Sequence, residues 1–142
     1  AMAVGVATAS IERTKELLSK QGIEFDYSRS SKLSSQLQAE VYKMEAELEA
    51  ARLLTIKAAW MADNGIPNSI EASISKAKAG RVANAITLKC VELLGSVGYC
   101  EDELLEKWAR DSKILDIFEG TQQIQQLIIA RRLLNKSSNE LK

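Results

Sequence analysis

Apolar residues between positions 37 and 62 recur at alternating spacings of four and three, and this pattern most constrains the fold. The positions are Leu37, Val41, Met44, Leu48, Ala51, Thr55, Ala58 and Ala62. This spacing places all of them on one face of an α-helix, whereas a half-buried strand would alternate every second residue. The pattern predicts a long helix from about Ser34 to Asn64. Because it stops at Gly65 and Pro67, an elongated coiled coil is a weaker alternative.

The rest of the chain shows helical spacing interrupted by turn residues. We predict further helices over 2–21, 68–94, 102–118 and 122–135. The helix over 68–94 has a stripe of Ala79, Ala83, Ile86, Cys90 and Leu93. Asn68 and Glu71 resemble a capping box at the start of that helix, and the small residues of 76–80 would let another backbone approach closely. The predicted fold is all-α, an up-down helical bundle of four main helices plus a shorter one, in one domain over 1–142.

Composition excludes several classes of function. Nineteen basic and nineteen acidic residues cancel, so the charge balance favours neither nucleic acid nor an anionic membrane as a partner. The chain has no histidine, which removes Ser-His-Asp and Cys-His catalysis and the usual zinc sites, and no metal is expected. Cys90 and Cys100 have no metal-ligand spacing and are predicted to be reduced thiols. With no transmembrane run or visible signal peptide, we expect a cytoplasmic protein.

Glu119 is the best candidate for chemistry, because it stands in an apolar turn just before a predicted helix. Thr121 is a good N-cap for that helix, whose positive end favours an ionised carboxylate by about 0.3–1 kcal/mol. Ile117 and Phe118 oppose this effect, since apolar neighbours remove water from the charge. A carboxylate under both influences suits general-base catalysis. The alternative is a solvated glutamate in a loop between helices.

The stretch 110–131, with Glu119-Gly120-Thr121 at its centre, resembles the C-terminal signature of the acyl-CoA dehydrogenases. Weaker similarity covers 52–60, 73–80 and 94–99. The resemblance implies the C-terminal domain of an FAD-dependent oxidoreductase of fatty acid metabolism. Glu119 would remove the α-proton of an acyl-CoA thioester, while the β-hydrogen leaves as hydride to the flavin. It also assigns cofactor binding to Thr121, Gln123 and Gly95, and acyl-CoA binding to Gly120 and Arg131.

Two segments depart from the family pattern. Family members usually carry Arg, then Phe-Gly three residues later, between the first two helices, but the connection 22–32 has no Phe-Gly and offers only Arg29. The family's Gln-x-x-Gly-Gly turn is here Glu92 to Ser96, and a carboxylate at Glu92 would repel a flavin pyrophosphate. These departures support an alternative, a non-catalytic oligomerisation bundle that has lost flavin binding. A plain helical interaction domain with chance similarity is a third possibility.

The resemblance also implies partners. Complete family members add an N-terminal helical domain and a β-domain, so we expect these in the same polypeptide or in a partner chain. The isolated 142 residues are expected to bind FAD weakly or not at all, to be inactive alone, and to form a homo-oligomer. Trp60 and Trp108 are predicted core anchors. Lys57 and the stretch 76–81 are interpreted as a solvated basic face rather than a CoA-phosphate site.

Overall fold

The computed structural model describes residues 1–28 and 34–140, so Arg29 lies outside the described residues. Five α-helices follow one another, with a 3-10 turn, Glu101–Glu103, before the fourth. They are α1 (Met2–Lys20), α2 (Gln36–Asp63), α3 (Ser69–Leu94), α4 (Leu105–Ile117) and α5 (Gln122–Leu133). The described residues contain no strand, and the predicted all-α helical bundle is confirmed.

Helix α3 lies at the centre of the bundle and packs against each of the other four helices. Its predicted stripe is buried at Ala79, Ala83, Ile86 and Cys90, while Leu93 is half-buried. Helix α1 covers this stripe with residues at the same three-and-four spacing, namely Ala7, Ile11, Thr14 and Leu18. The apolar spacing of each helix therefore decides which face meets α3. Cys90 and Cys100 are both free, as expected, and burial raises the pKa of the Cys90 thiol to about 11.

Helix α2 uses the predicted seam. Val41, Met44, Ala51 and Ala58 are buried, while Leu37, Leu48 and Thr55 are half-buried; Ala62, at the end of the seam, is exposed. The helix begins two residues later than predicted, because Ser35 is its N-cap. The Ser35 hydroxyl accepts a hydrogen bond from the Gln38 backbone N–H at 3.2 Å, and the Gln38 side chain accepts from the Ser35 N–H at 2.7 Å. This capping box is visible in the sequence but was not part of the prediction.

The capping box predicted at Asn68 and Glu71 is wrong. The Asn68 side chain makes no bond to the start of α3 and instead donates to the Ala58 carbonyl of α2 at 2.7 Å. Glu71 forms an ion pair with Lys57 at 3.5 Å. The turn through Gly65 and Pro67 brings Asn68 back beside α2, so its amide is used between helices rather than as a cap.

The fourth helix is irregular at its beginning. The predicted helix 102–118 is divided into the 3-10 turn and α4 by Leu104, which has a φ of 60°. The left-handed conformation disfavours continued helix for a residue with a β-carbon. The chain therefore turns at Leu104 before α4 begins, and α4 brings Leu105 and Ala109 into the core region.

The prediction of two tryptophan core anchors is half correct. Trp108 on α4 is partly buried against the core, but Trp60 on α2 is 57% exposed. Trp60 lies seven and four positions along the helix from Leu53 and Ile56, which are also exposed, at 56% and 49%. Residues at this spacing share a helix face. Trp60 therefore belongs to an outward apolar face of α2 and not to the seam.

Candidate functional site

The turn between α4 and α5 carries Glu119. The last bond of α4 runs from the Phe118 N–H to the Ile114 carbonyl at 2.9 Å. Glu119 then has a φ of 55° and Gly120 a φ of 91°, and two successive left-handed residues reverse the chain. A left-handed conformation costs a residue other than glycine about 1–2 kcal/mol. The turn must therefore be held by its surroundings.

Bonds from α5 hold the downstream side of the turn. The Thr121 hydroxyl accepts from the Ile124 N–H at 3.4 Å, which confirms the predicted N-cap. The Gln125 side chain folds back and donates to the Glu119 carbonyl at 3.0 Å. Both bonds use groups that a helix start or a turn would otherwise leave unpaired.

Helix α3 holds the upstream side through a close backbone contact. A β-carbon added to Gly80 would lie 3.1 Å from both the Asp116 Cα and the Leu115 carbonyl oxygen of α4. The small residues of 76–80 thus allow the close approach predicted from the sequence. Nearby, the Lys76 ammonium donates to the Asp116 carbonyl at 3.1 Å. No local pattern in the sequence indicates this bond, and the basic stretch 76–81 predicts a solvated position for Lys76 instead.

A groove of about 410 Å³ opens beside this turn. Small apolar residues of α2 and α3 form much of its wall, among them Ala58, Ala59, Ala72 and Ala79. Its polar groups include Thr55 and Ser75, whose hydroxyls lie 3.0 Å apart and hydrogen-bond each other. Among the described side chains that line the groove, Lys76 is the cationic one and Glu119 the carboxylate. An apolar groove with a few polar groups is the usual form of a small-molecule site.

The apolar shielding expected around Glu119 is absent among the residues that the structure describes. Glu119 is exposed, Phe118 is half-buried and Ile117 is 46% exposed. Ile117 lies on the outward side of α4, so its side chain adjoins the turn without covering the carboxylate. A carboxylate at this turn can accept a proton from a molecule in the groove. Any desolvation of it must come from the bound molecule or from another part of the protein.

The three residues assigned to the cofactor do not meet within one chain. Thr121 and Gln123 lie at the start of α5, where unpaired backbone N–H groups favour a phosphate. Gly95 is the C-cap of α3, about 22 Å along the helix axis from Gly80 and hence from the turn. Within one chain, Gly95 is therefore too far from the start of α5 to contact the same group as Thr121 and Gln123.

Glu92, expected to repel a pyrophosphate, is paired in the structure. Its carboxylate accepts from the Lys89 ammonium at 2.8 Å. This hydrogen bond is the main reason why the pKa of Lys89 is raised. Because Lys89 partly offsets the Glu92 charge, the repulsion inferred from the sequence is weaker than expected.

Arg131 and the basic stretch lie apart from Glu119 with one exception. Arg131 is half-buried on α5, about 14 Å along the helix from Gln122, and its Nη1 donates to the Ser138 hydroxyl at 3.0 Å. Lys78 forms an ion pair with Glu47 at 2.5 Å, and Arg81 is exposed. The exception is Lys76, which is half-buried and lines the groove.

Among the described residues, no helix has the length and hydropathy to cross a bilayer.

Comparison with known proteins identifies the family. Residues 1–134 match the family model described as the acyl-CoA dehydrogenase C-terminal domain. A short/branched chain specific acyl-CoA dehydrogenase of Rattus norvegicus is 46% identical over 97 residues, which are 68% of this chain and 22% of that protein. A short-chain specific acyl-CoA dehydrogenase of Clostridium acetobutylicum is 39% identical over 90 residues, 63% of this chain and 24% of that protein.

Solved structures agree with this result. The butyryl-CoA dehydrogenase of Megasphaera elsdenii superposes with a TM-score of 0.80 and 29% sequence identity, over 93% of this chain and 34% of that one. The chain thus spans less than a quarter of the rat protein and about a third of the bacterial structure. Both the bundle and the Glu119 turn lie within the matched residues. The chain belongs to the acyl-CoA dehydrogenase C-terminal domain family.

Proposed function

We propose that this chain is the C-terminal domain of an FAD-dependent acyl-CoA dehydrogenase, in which Glu119 is the base that removes the α-proton of an acyl-CoA thioester. The observation that carries the proposal is the position of Glu119. Its side chain lies at the edge of an apolar groove, on a turn that contacts from α3 and α5 hold in place. A general base needs a fixed position within hydrogen-bond reach of the proton that it accepts. Gly120, next to Glu119, is proposed to contact the thioester.

The cofactor is proposed to be FAD, held jointly by several protein parts. FAD, when bound, supplies the acceptor for the β-hydride. Thr121 and Gln123 would bind its nucleotide end at the start of α5, and Gly95 of a second copy would complete that contact. The flavin-binding domains would come from the same polypeptide or from a partner chain. A homo-oligomer follows from this arrangement, because one chain cannot bring Gly95 to α5.

The relatives favour this proposal over a non-catalytic oligomerisation bundle, since their names describe dehydrogenases. The pairing of Glu92 with Lys89 also removes part of the reason for that alternative. Arg131 is proposed to contribute to acyl-CoA binding at a distance from Glu119. The cytoplasmic location stays a prediction, and the rat relative is named as mitochondrial.

Replacement of Glu119 by glutamine tests the proposal in the assembled enzyme. The amide keeps the size of the side chain but cannot accept the α-proton, so flavin reduction by butyryl-CoA should slow by about a hundred- to ten-thousand-fold. Stopped-flow absorbance of the flavin measures this rate. Glu106→Gln is the matched control, because Glu106 pairs with Arg110 on the surface of α4, and its rate should not change. Flavin reduction at the wild-type rate in Glu119→Gln would place the base elsewhere.

A further inference from the structure

Lys76 contacts the main chain at the end of α4 rather than a carboxylate. Its Nζ donates to the Asp116 carbonyl at 3.1 Å, one residue before α4 ends at Ile117. The final carbonyls of a helix have no partner within the helix, and a cation there is favoured by the helix dipole. Lys76 therefore completes a bond that α4 cannot make for itself.

The side chain of Asp116 is engaged by other residues. One carboxylate oxygen accepts from Lys113 at 3.1 Å and the other from Gln122 at 3.3 Å. Gln122 also reaches the Ala77 carbonyl of α3, at 3.5 Å. Asp116 is thus fixed by α4 and α5 through its side chain, and by α3 through its main chain. Of these contacts, the bond from Lys76 is the one that joins the α4 backbone to the wall of the groove.

We infer that Lys76 is a positioning residue for Glu119, holding the end of α4 so that the turn presents the Glu119 carboxylate to the groove. This inference rests on the proposed function. Glu119 and Gly120 both have a left-handed backbone conformation. A rotation of the chain at Asp116 would therefore turn this segment as a unit and change the direction of the Glu119 carboxylate. A misplacement of about 1 Å can cost about a hundredfold in rate. Lys76 acts through the backbone and does not touch the reacting atoms.

Two measurements on the assembled enzyme separate this role from general stability. In Lys76→Met, the limiting rate of flavin reduction by butyryl-CoA should fall about ten- to a hundredfold, while KM changes less than about threefold. Lys76→Arg, which can still donate to the carbonyl, should recover most of the rate. Lys78→Met is the matched control on the same helix, since Lys78 pairs with Glu47 of α2 and does not line the groove, and its rate should stay at the wild-type value.

Amide hydrogen exchange provides a readout that does not depend on catalysis. The Phe118 amide, bonded to the Ile114 carbonyl, should exchange at least about tenfold faster in Lys76→Met, whereas the Lys78→Met protein should match wild type. Unchanged exchange in Lys76→Met, or an equal loss of rate in Lys78→Met, would overturn the inference. If Lys76→Met does not fold, Lys76→Leu, which also lacks a donor, is measured in its place, with the same criteria. If the Phe118 amide exchanges faster in Lys76→Met but the wild-type assembly has no dehydrogenase activity, the positioning role is supported and the proposed function is contradicted.

Discussion

At the scale of single residues, the site depends on where a side chain is absent as much as on where one is present. Gly80 lets α3 approach α4 so closely that an added β-carbon would lie 3.1 Å from the Asp116 backbone. Glu119 adopts a left-handed conformation that its side chain disfavours. The bonds from Thr121 and Gln125 hold that conformation from the other side. The position of the carboxylate thus follows from contacts made by its neighbours.

We predict that Gly80→Val lowers the free energy of unfolding by about 1–3 kcal/mol, because the added groups would press on the α4 backbone. Urea denaturation followed by circular dichroism measures the change. Gly5→Ala is the control, since a β-carbon at Gly5 in α1 would meet nothing within 4 Å. This variant should gain roughly 0.5–1 kcal/mol from its higher helix propensity. Equal stability of Gly80→Val and wild type would show that α3 and α4 can separate without cost.

At the scale of helices, the apolar spacing was a reliable guide, whereas of the two predicted N-terminal caps only the one at Thr121 is confirmed. The seam of α2 and the stripe of α3 could be predicted because the residues that a packed helix buries recur with the helical period. The cap at Asn68 could not, since its amide bonds to Ala58 of another helix. Trp60 was misplaced for a similar reason: its size suggested a core anchor, but its position in the helical period places it outside the seam.

The same distinction holds for the candidate site. Glu119 and the Thr121 cap could be proposed from adjacent residues, because a turn before a helix is local in sequence. The bond from Lys76 to Asp116 joins residues 40 positions apart. No local pattern predicts such a contact, and none predicts that Gly95 lies far from the start of α5.

We predict that Ser35→Ala lowers the free energy of unfolding by about 0.5–2 kcal/mol, because the N-cap bond to Gln38 is lost from α2. Ser69→Ala is the control, since Ser69 is an exposed first residue of α3 and not its cap. Thermal unfolding of both variants, measured side by side, gives the difference. A Ser35→Ala protein as stable as Ser69→Ala would mean that the capping box does not stabilise the bundle.

At the scale of the whole molecule, the bundle leaves many large apolar side chains exposed. Leu53, Ile56 and Trp60 form one exposed face on α2, and Ile114, Ile117, Ile124 and Leu127 are exposed near the turn. Exposed apolar surface of this kind is typical of protein interfaces. The proposed cofactor contact of Gly95 points to the same conclusion, because Gly95 would reach the start of α5 only from a second chain.

We predict that the chain self-associates at micromolar concentration, because burial of such surface is worth roughly 25 cal/mol per Å². Sedimentation velocity should show an oligomer in the wild-type chain. Trp60→Glu, which places a charge on the exposed face of α2, should shift the distribution toward monomer, whereas Arg52→Glu is a charge control on the same helix. A wild-type chain that sediments only as monomer would contradict this account of the surface.

The central claim, that Glu119 removes an α-proton, is tested most directly by hydrogen exchange at the substrate. The assembled enzyme is incubated with butyryl-CoA in D₂O, and mass spectrometry follows the incorporation of deuterium at the α-carbon of the recovered thioester. We predict incorporation with the wild-type enzyme and a loss of about a hundredfold or more in Glu119→Gln, with Glu106→Gln unaffected. Equal incorporation in wild type and Glu119→Gln would contradict the account.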